Sequence, residues 1–475
     1  MKSKNNIILI ATAIVMAGCS SEMKHIDFED TIARMSVEDK AHFVIGTGMK
    51  GLSGNNAVIG STQSLVPGAA GTTYPLDSLG IPAIVLADGP AGLRIDATRP
   101  NDNATYYCTH FPIGTLLAST WNIPLIEQVG KAIGEEVKSY GVDVLLAPAL
   151  NIQRNALCGR NFEYYSEDPL VAGKTAAAYV RGVQSNGVGT SIKHFCANNQ
   201  ETNRMNNNAC ISQRALREIY LKPFEIAVKE SQPWTVMTSY NYLNGIYTSE
   251  NRELLQTVLR DEWGFDGTVM TDWFGGSDGA RQIAAGNDML QPGRDQQFND
   301  IVHAIKSKKL SEAYLDTSVR RVMKLIEKTP RFNGYKATNK PDLKAHAAIT
   351  RQSAAEGMVL LKNNSNTLPL AEDVKHVALF GCTSYDFIAG GTGSGNVNHA
   401  YVVSLVDGLK NADMVIDEDL ALSYTKYIKN QKELLAHAND GKPFARFLPA
   451  PLPDELTFES GMLKQKAEST DAAIV

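Results

Sequence analysis

Five short apolar runs in this chain each end on residues able to do chemistry. Residues 83–87 lead into Asp88-Gly89-Pro90, residues 142–147 into Pro148, Asn151 and Arg154, and residues 188–192 into Lys193-His194-Phe195. Residues 235–238 end in Ser239-Tyr240-Asn241, and residues 268–271 in Asp272-Trp273-Phe274-Gly275-Gly276. With Arg204 from a nearby loop, the set supplies carboxylates, fixed cations, an imidazole and a phenol, groups that hold a polar substrate and move its bonds. Each alone has a plainer reading: Asp272 as a turn or helix cap, Arg154 as partner of a surface acid, His194 as a satisfied core histidine. Parallel α/β folds gather the exits of their strands on one face, so the group as a whole reads as a site.

The elements that must position these residues follow from the same pattern. The runs are short and apolar, as strands buried on both faces are. Helical patterns over residues 123–140, 170–185, 213–230 and 252–262 separate them. Strands alternating with helices make parallel units, and five or more in series predict an α/β fold with a (β/α)8-type, TIM-like barrel over residues 20–330. The units around residues 286–290, 300–307 and 311–327 are weaker, so strict eightfold regularity is not expected. Ahead of the barrel strands, a helix is expected at 28–35, then Ser36 capping a second at 37–43, then a Gly-, Ser-, Asn- and Thr-rich loop at 46–75. A polar linker at 331–345 leads to a partial α/β sandwich domain at 346–475, with a helix at 346–358 and strands at 359–362 and 377–380. Pro449, Pro451 and Pro453 mark an irregular excursion, and an apolar strand opens at 471–475, which leaves the domain incomplete at its C-terminus.

A chain of 475 residues is too long for one hydrophobic core. With 43% hydrophobic and 20% charged residues it has the composition of a soluble globular protein. A net charge of -5 with no long basic run excludes nucleic acid as a partner and suits a neutral or weakly polar substrate. Lys2, Lys4, the apolar residues 7–16 and Ala17-Gly18-Cys19 form a leader too short to anchor as a span, whose end resembles a bacterial lipobox. The expectation is a signal peptide at 1–19, lipidation on Cys19, and a periplasmic or outer-membrane lipoprotein of a Gram-negative bacterium. The membrane is then reached only through that anchor. Cys108, Cys158, Cys196, Cys210 and Cys382 show no CxxC spacing, so neither a metal nor another cofactor is expected, and an odd count leaves at least one free thiol.

Several longer segments carry a family resemblance. They are Asp88-Gly89-Pro90, Asn151-Ile152-Gln153-Arg154, the run from Gly159-Arg160-Asn161-Phe162-Glu163 to Asp168-Pro169, Lys193-His194-Phe195, Asn198-Asn199-Gln200-Glu201-Thr202-Asn203-Arg204 and Met270-Thr271-Asp272-Trp273. They resemble glycoside hydrolase family 3 from about residue 28 onward, and within it the two-domain β-glucosidases. The family's single-domain N-acetylglucosaminidases carry Pro-Gly-His-Gly after Lys-His-Phe, where Cys196-Ala197-Asn198-Asn199 stands here. The resemblance implies a retaining, exo-acting β-glucosidase whose substrate is an oligosaccharide or β-glycoside. It makes Asp272 the nucleophile, with Asp88, Arg154, Lys193, His194 and Arg204 bonded to hydroxyls of the bound sugar. Tyr240 would touch the nucleophile and Trp273 would wall the sugar's apolar face, while Arg160, Glu163 and Asp168 divide between contact and scaffold. The glycine run 390–395 trails its strand by too far for a dinucleotide loop; by resemblance it reaches over the site and makes Ser394 a sugar contact.

The family's acid/base is a glutamate in a loop soon after a strand that resembles residues 471–475, and the sequence stops before that loop. Glu455, Glu459 and Glu468 all precede the strand. Three readings follow: a shortened β-glucosidase, favoured here; a catalytically impaired lipoprotein that binds glycosides; and a phosphorylase or other retaining enzyme whose acid comes from elsewhere, such as His194. A β-xylosidase is the alternative within the first.

Overall fold

The computed structural model describes residues 25–49, 62–442 and 451–475. The leader and Cys19 lie outside the described residues, as does the middle of the loop expected at 46–75. The strands of the first domain are β1 (Gly71–Thr72), β2 (Val85–Asp88), β3 (Val144–Leu146), β4 (Gly189–Phe195), β5 (Asn208–Ala209), β6 (Thr235–Thr238), β7 (Tyr242–Leu243), β8 (Ile246–Tyr247) and β9 (Thr268–Met270). One sheet runs β1-β2-β3-β4-β6-β9, and β5, β7 and β8 form a small sheet apart. From β2 to β9 every pairing in the large sheet is parallel and every residue is buried, with helices outside and side chains filling the inside.

This sheet curls shut. Met270 bridges Met289, Leu290 bridges Ile45, and Gly46 bridges Thr73, so two very short staves join the six strands to close the ring. Gly46 N donates to Leu290 O at 2.9 Å, and Thr47 N to Thr72 O at 3.2 Å. The regular (β/α)8 pattern breaks at this seam, where β1 also runs antiparallel to β2. Only the 3-10 turn Asp77–Leu79 lies between β1 and β2. A parallel return needs a longer crossover, usually a helix.

Around the ring lie the helices Ile123–Ser139, Pro169–Gln184, Lys222–Ser231, Asp295–Lys306 and Glu312–Glu327. The first two touch backbone to backbone: a Cβ on Gly182 would lie 2.1 Å from Glu127 O. Asp168 accepts from Leu170 N at 2.7 Å and Val171 N at 3.1 Å, ahead of Pro169. It is a helix cap, not a site residue. Ser36 caps Val37–Phe43 with Asp39 returning the bond, as the sequence suggests. The single helix expected at 213–230 is divided at Leu221, because Pro223 has no N–H to continue the ladder.

The helix Leu343–Gly357 packs on Gly114–Ser119 and Ile123–Ser139. His346 pins it there, with Nδ1 2.7 Å from Glu136 Oε1 and Nε2 3.0 Å from Glu135 Oε2. Beyond it β10 (His376–Leu379), β11 (Val415–Ile416) and β12 (Ala472–Ile474) form a parallel sheet in the order β11-β10-β12. Leu420, Tyr424 and Ile428 cover one face of it, and Leu405, Val406 and Leu409 the other. The strand expected at 359–362 is not formed: Met358, Val359, Leu360 and Leu361 are 72%, 63%, 62% and 91% exposed. They pair with no strand among the described residues, and an apolar run without a pairing edge stays irregular. The five cysteines 108, 158, 196, 210 and 382 are all free. Among the described residues no helix is long and apolar enough to cross a membrane, and no His, Cys, Asp and Glu group could hold a metal ion.

Candidate active site

The exits of β2, β4, β6 and β9 deliver Asp88, the pair Lys193-His194, Tyr240 and Asp272 to one end of the barrel. Asp88 Oδ1 lies 3.3 Å from Lys193 Nζ, and Oδ2 accepts from Arg94 Nη2 at 2.7 Å. Burial alone would raise this carboxyl, yet the two cations hold it below its ordinary value. Asn151 fixes the chain at His194 by bonding both its N–H and its carbonyl, each at 2.8 Å.

Asp272 is buried, and its oxygens differ. Oδ1 accepts from Trp273 N at 2.7 Å; Oδ2 has no hydrogen-bond partner within bonding distance among the described residues and stands 3.7 Å from His194 Nε2. Burial pushes the carboxyl up, while Arg160, Arg204 and Lys193 pull it back toward the charged form. Arg204 stacks over Tyr240, 4.5 Å from the ring centre, and bonds Glu201 Oε2 at 2.9 Å. Burial first, and then the charge of Asp272, push the Tyr240 phenol well up, so it stays protonated. His194 is pushed well below its ordinary value by burial and then by Arg160, Lys193 and Arg204, which makes it a neutral imidazole. The arrangement offers an ionisable carboxylate with one uncommitted oxygen, ringed by cations and donors suited to neutral hydroxyls.

The side chains of three expected residues make no hydrogen bond or ion pair with this cluster among the described residues. Arg154 is exposed, and among the described residues its guanidinium makes no ion pair. Trp273 is locked into the barrel core with Nε1 donating to Ala70 O at 3.2 Å. Ser394 is half-buried in the turn Gly393–Gly395 and, among the described residues, makes no hydrogen bond with the cluster, but its loop does reach the rim. A Cβ on Gly391 would come within 2.3 Å of the Phe162 ring and one on Gly395 within 3.0 Å, so the second domain rests on the turn Asn161–Glu163. Phe162 also lines an apolar cavity of about 870 Å³, with His110, Leu116, Phe387 and Tyr401, which holds none of the cluster. Arg94 was missed by sequence reasoning. A basic residue six positions beyond Asp88 in the same loop was the available signal, and only the fold shows that the loop folds back.

Residues 62–325, over half of the chain, match the glycosyl hydrolase family 3 N terminal domain, and residues 358–475 match that family's C-terminal domain. The chain belongs to glycosyl hydrolase family 3. It is 40% identical over 408 residues to thermostable beta-glucosidase B of Acetivibrio thermocellus, covering 85% of this chain and 50% of that one. It is 40% identical over 367 residues to an exo-alpha-(1->6)-L-arabinopyranosidase of Bifidobacterium longum, covering 74% and 47%. The solved beta-glucosidase 3B of Thermotoga neapolitana, in complex with alpha-D-glucose, is 49% identical with a TM-score of 0.86, covering 94% of this chain and 62% of that one. The chain thus spans half or less of the length of these two curated relatives. The family 3 neighbours share its TIM-like barrel followed by an α/β domain.

The geometry separates the two cations that the family motifs treat alike. Lys193→Ala should lower stability by about 1.5–3 kcal/mol, the worth of one charged hydrogen bond, because it leaves buried Asp88 with Arg94 alone. Arg154→Ala, on the exposed loop, should stay within about 0.5 kcal/mol of the parent. Urea denaturation of both variants measures the difference; equal losses would contradict the placement of Arg154.

Proposed function

We propose that this family 3 chain carries the nucleophile of a retaining, exo-acting β-glycosidase. The most economical form is a β-glucosidase that removes terminal non-reducing β-D-glucosyl residues through a covalent glycosyl–Asp272 intermediate. The observation that carries the reading is Asp272, a buried carboxylate with Oδ1 tied to the backbone and Oδ2 unpartnered, at the exit of a barrel strand. In the first step a lone pair of Oδ2 attacks the anomeric carbon as the bond to the departing oxygen breaks, and that oxygen leaves with the bonding pair, as a phenolate from an activated glycoside or, on taking a proton, as an alcohol. Water then attacks the anomeric carbon, breaks its bond to Oδ2 and gives up a proton to solvent, returning the Asp272 carboxylate and the sugar with its anomeric configuration retained. Lys193, Arg94 and Arg204 supply charged donors for sugar hydroxyls, and Asp88 accepts from them. The β-glucosidases among the relatives support glucose as the sugar.

A second reading, an α-L-arabinopyranosidase, is favoured by the Bifidobacterium relative. The test uses 2,4-dinitrophenyl 2-deoxy-2-fluoro-β-D-glucoside, whose leaving group needs little protonation. Intact mass should show one fluoroglucosyl adduct per chain, and peptide mapping should place it on Asp272. An adduct on any other carboxylate rejects the assignment. Nitrophenyl β-D-glucoside, β-D-xyloside and α-L-arabinopyranoside, each with and without phosphate, then sort the sugar and distinguish hydrolysis from phosphorolysis. We further propose export with lipidation at Cys19, supported by the leader's composition. Palmitate labelling that persists in Cys19→Ala would refute it.

A further inference from the structure

Arg160 precedes the turn Asn161–Glu163 with its side chain only 13% exposed. Its Nε bonds Glu163 Oε1, and its Nη2 lies 2.8 Å from His194 Nε2. A guanidinium has donors only and keeps its charge at any working pH. The contact therefore makes Nε2 the acceptor and puts the ring proton on Nδ1. An imidazolium would set donor against donor, and His194 is buried among cations that keep it neutral. Nδ1 is buried without a hydrogen-bond partner among the described residues.

This choice of tautomer decides what Asp272 meets. Nε2 stands 3.7 Å from Oδ2, beyond a hydrogen bond, and with its lone pair engaged by Arg160 it has no proton to give. Were the proton on Nε2, the ring could close on Oδ2 and draw off the electron pair that has to attack. We propose that Arg160 is a positioning residue that locks His194 as the Nδ1–H tautomer and so keeps the imidazole from donating to Asp272 Oδ2, which rests on the reading of Asp272 as nucleophile. Glu163, its side chain 1% exposed, holds the guanidinium in that pose.

The ring can be read directly by nitrogen NMR on protein labelled with 15N-histidine. The wild type should show a pyrrole-type Nδ1 and a pyridine-type Nε2 for His194, unchanged between about pH 5.5 and 8. Arg160→Ala should move the proton to Nε2 and slow trapping by the activated fluoroglucoside about 10²-fold. The acid limb of trapping should also shift to higher pH, since Arg204 and Lys193 would be the remaining cations beside Asp272, with His194 and Tyr240 neutral. Arg160→Lys, which keeps a cation and a donor, should retain the Nδ1–H ring and part of the rate. An Nε2–H ring in the wild type overturns the proposal whether or not Arg160→Ala folds, and so does an Nδ1–H ring that survives in Arg160→Ala. A wild type that takes no label but shows the Nδ1–H ring refutes the glycosidase reading alone. A labelled wild type with an Nε2–H ring refutes this one alone.

Discussion

Asp272→Asn should end covalent labelling and, at the same time, raise the melting temperature at neutral pH. An amide has no electron pair free to open the glycosidic bond, so labelling should slow on the order of 10⁴-fold or more. The stability gain follows from the direction of the carboxyl's shift. Burial lifts Asp272 above its unfolded value despite the nearby cations, so the charged form is disfavoured in the folded chain. That penalty is present above the folded pKa and vanishes as pH falls below the unfolded one, where both states are protonated. At pH 7 the neutral amide escapes it, and a higher melting temperature is expected; near pH 3 wild type and variant should converge. Calorimetry at both pH values checks this. A lower melting temperature for the variant at pH 7 would mean that the cations depend on Asp272 more than burial opposes it.

The second large effect lies at the other end of the barrel. Asp288 directly precedes the stave 289–290 and is fully buried. Its Oδ2 accepts from Val269 N at 2.9 Å and Arg260 Nη2 at 2.6 Å, and its Oδ1 from Arg321 Nη1 at 3.0 Å and Ser318 Oγ at 3.3 Å. Asp288→Ala should destabilise the chain by about 3–5 kcal/mol, because it strands two guanidinium groups and a strand amide. Asp288→Asn, which keeps the shape and some of the bonds, should lose less. A loss under about 1 kcal/mol for the alanine variant, read by urea denaturation, would show that the arginines find other partners.

The two aspartates also show how much could be read in advance. Asp88 and Asp272 stand at the ends of their strands, whereas Asp143 directly precedes the strand Val144–Leu146 and Asp288 the stave 289–290, and in a parallel ring that order says which end each reaches. Asp143 accepts from Val85 N at 2.9 Å and Arg331 Nε at 3.1 Å and is structural. The converging cluster was therefore legible from runs and exits alone. The seam was not: residues 45–46 and 71–72 are too short for any periodicity and lie in or beside a stretch rich in Gly, Ser, Asn and Thr. The sequence puts Arg154 on the sugar and leaves Arg160 between contact and scaffold, and only folding turns the first to solvent and the second onto His194. The run 359–362 looks like a strand by composition, but a strand exists through its partner, which local sequence does not encode.

The seam bears on the order in which the molecule folds. Thr271 N bonds Met289 O at 3.0 Å, Phe274 N bonds Gln291 O at 3.1 Å, and Trp273 Nε1 bonds Ala70 O at 3.2 Å. These bonds tie the residues after β9 to both sides of the closing seam, and the ring shuts only when Ile45 meets Leu290 from the far end of the barrel sequence. Contacts between such distant segments carry the largest loop-closure cost and form late. The parallel strands can therefore assemble while the Asp272 loop is still without its anchors. On the proposal that Asp272 is the nucleophile, a chain caught at that stage has its sheet and its buried faces but should take no label, so labelling at Asp272 should report that the last stave has closed.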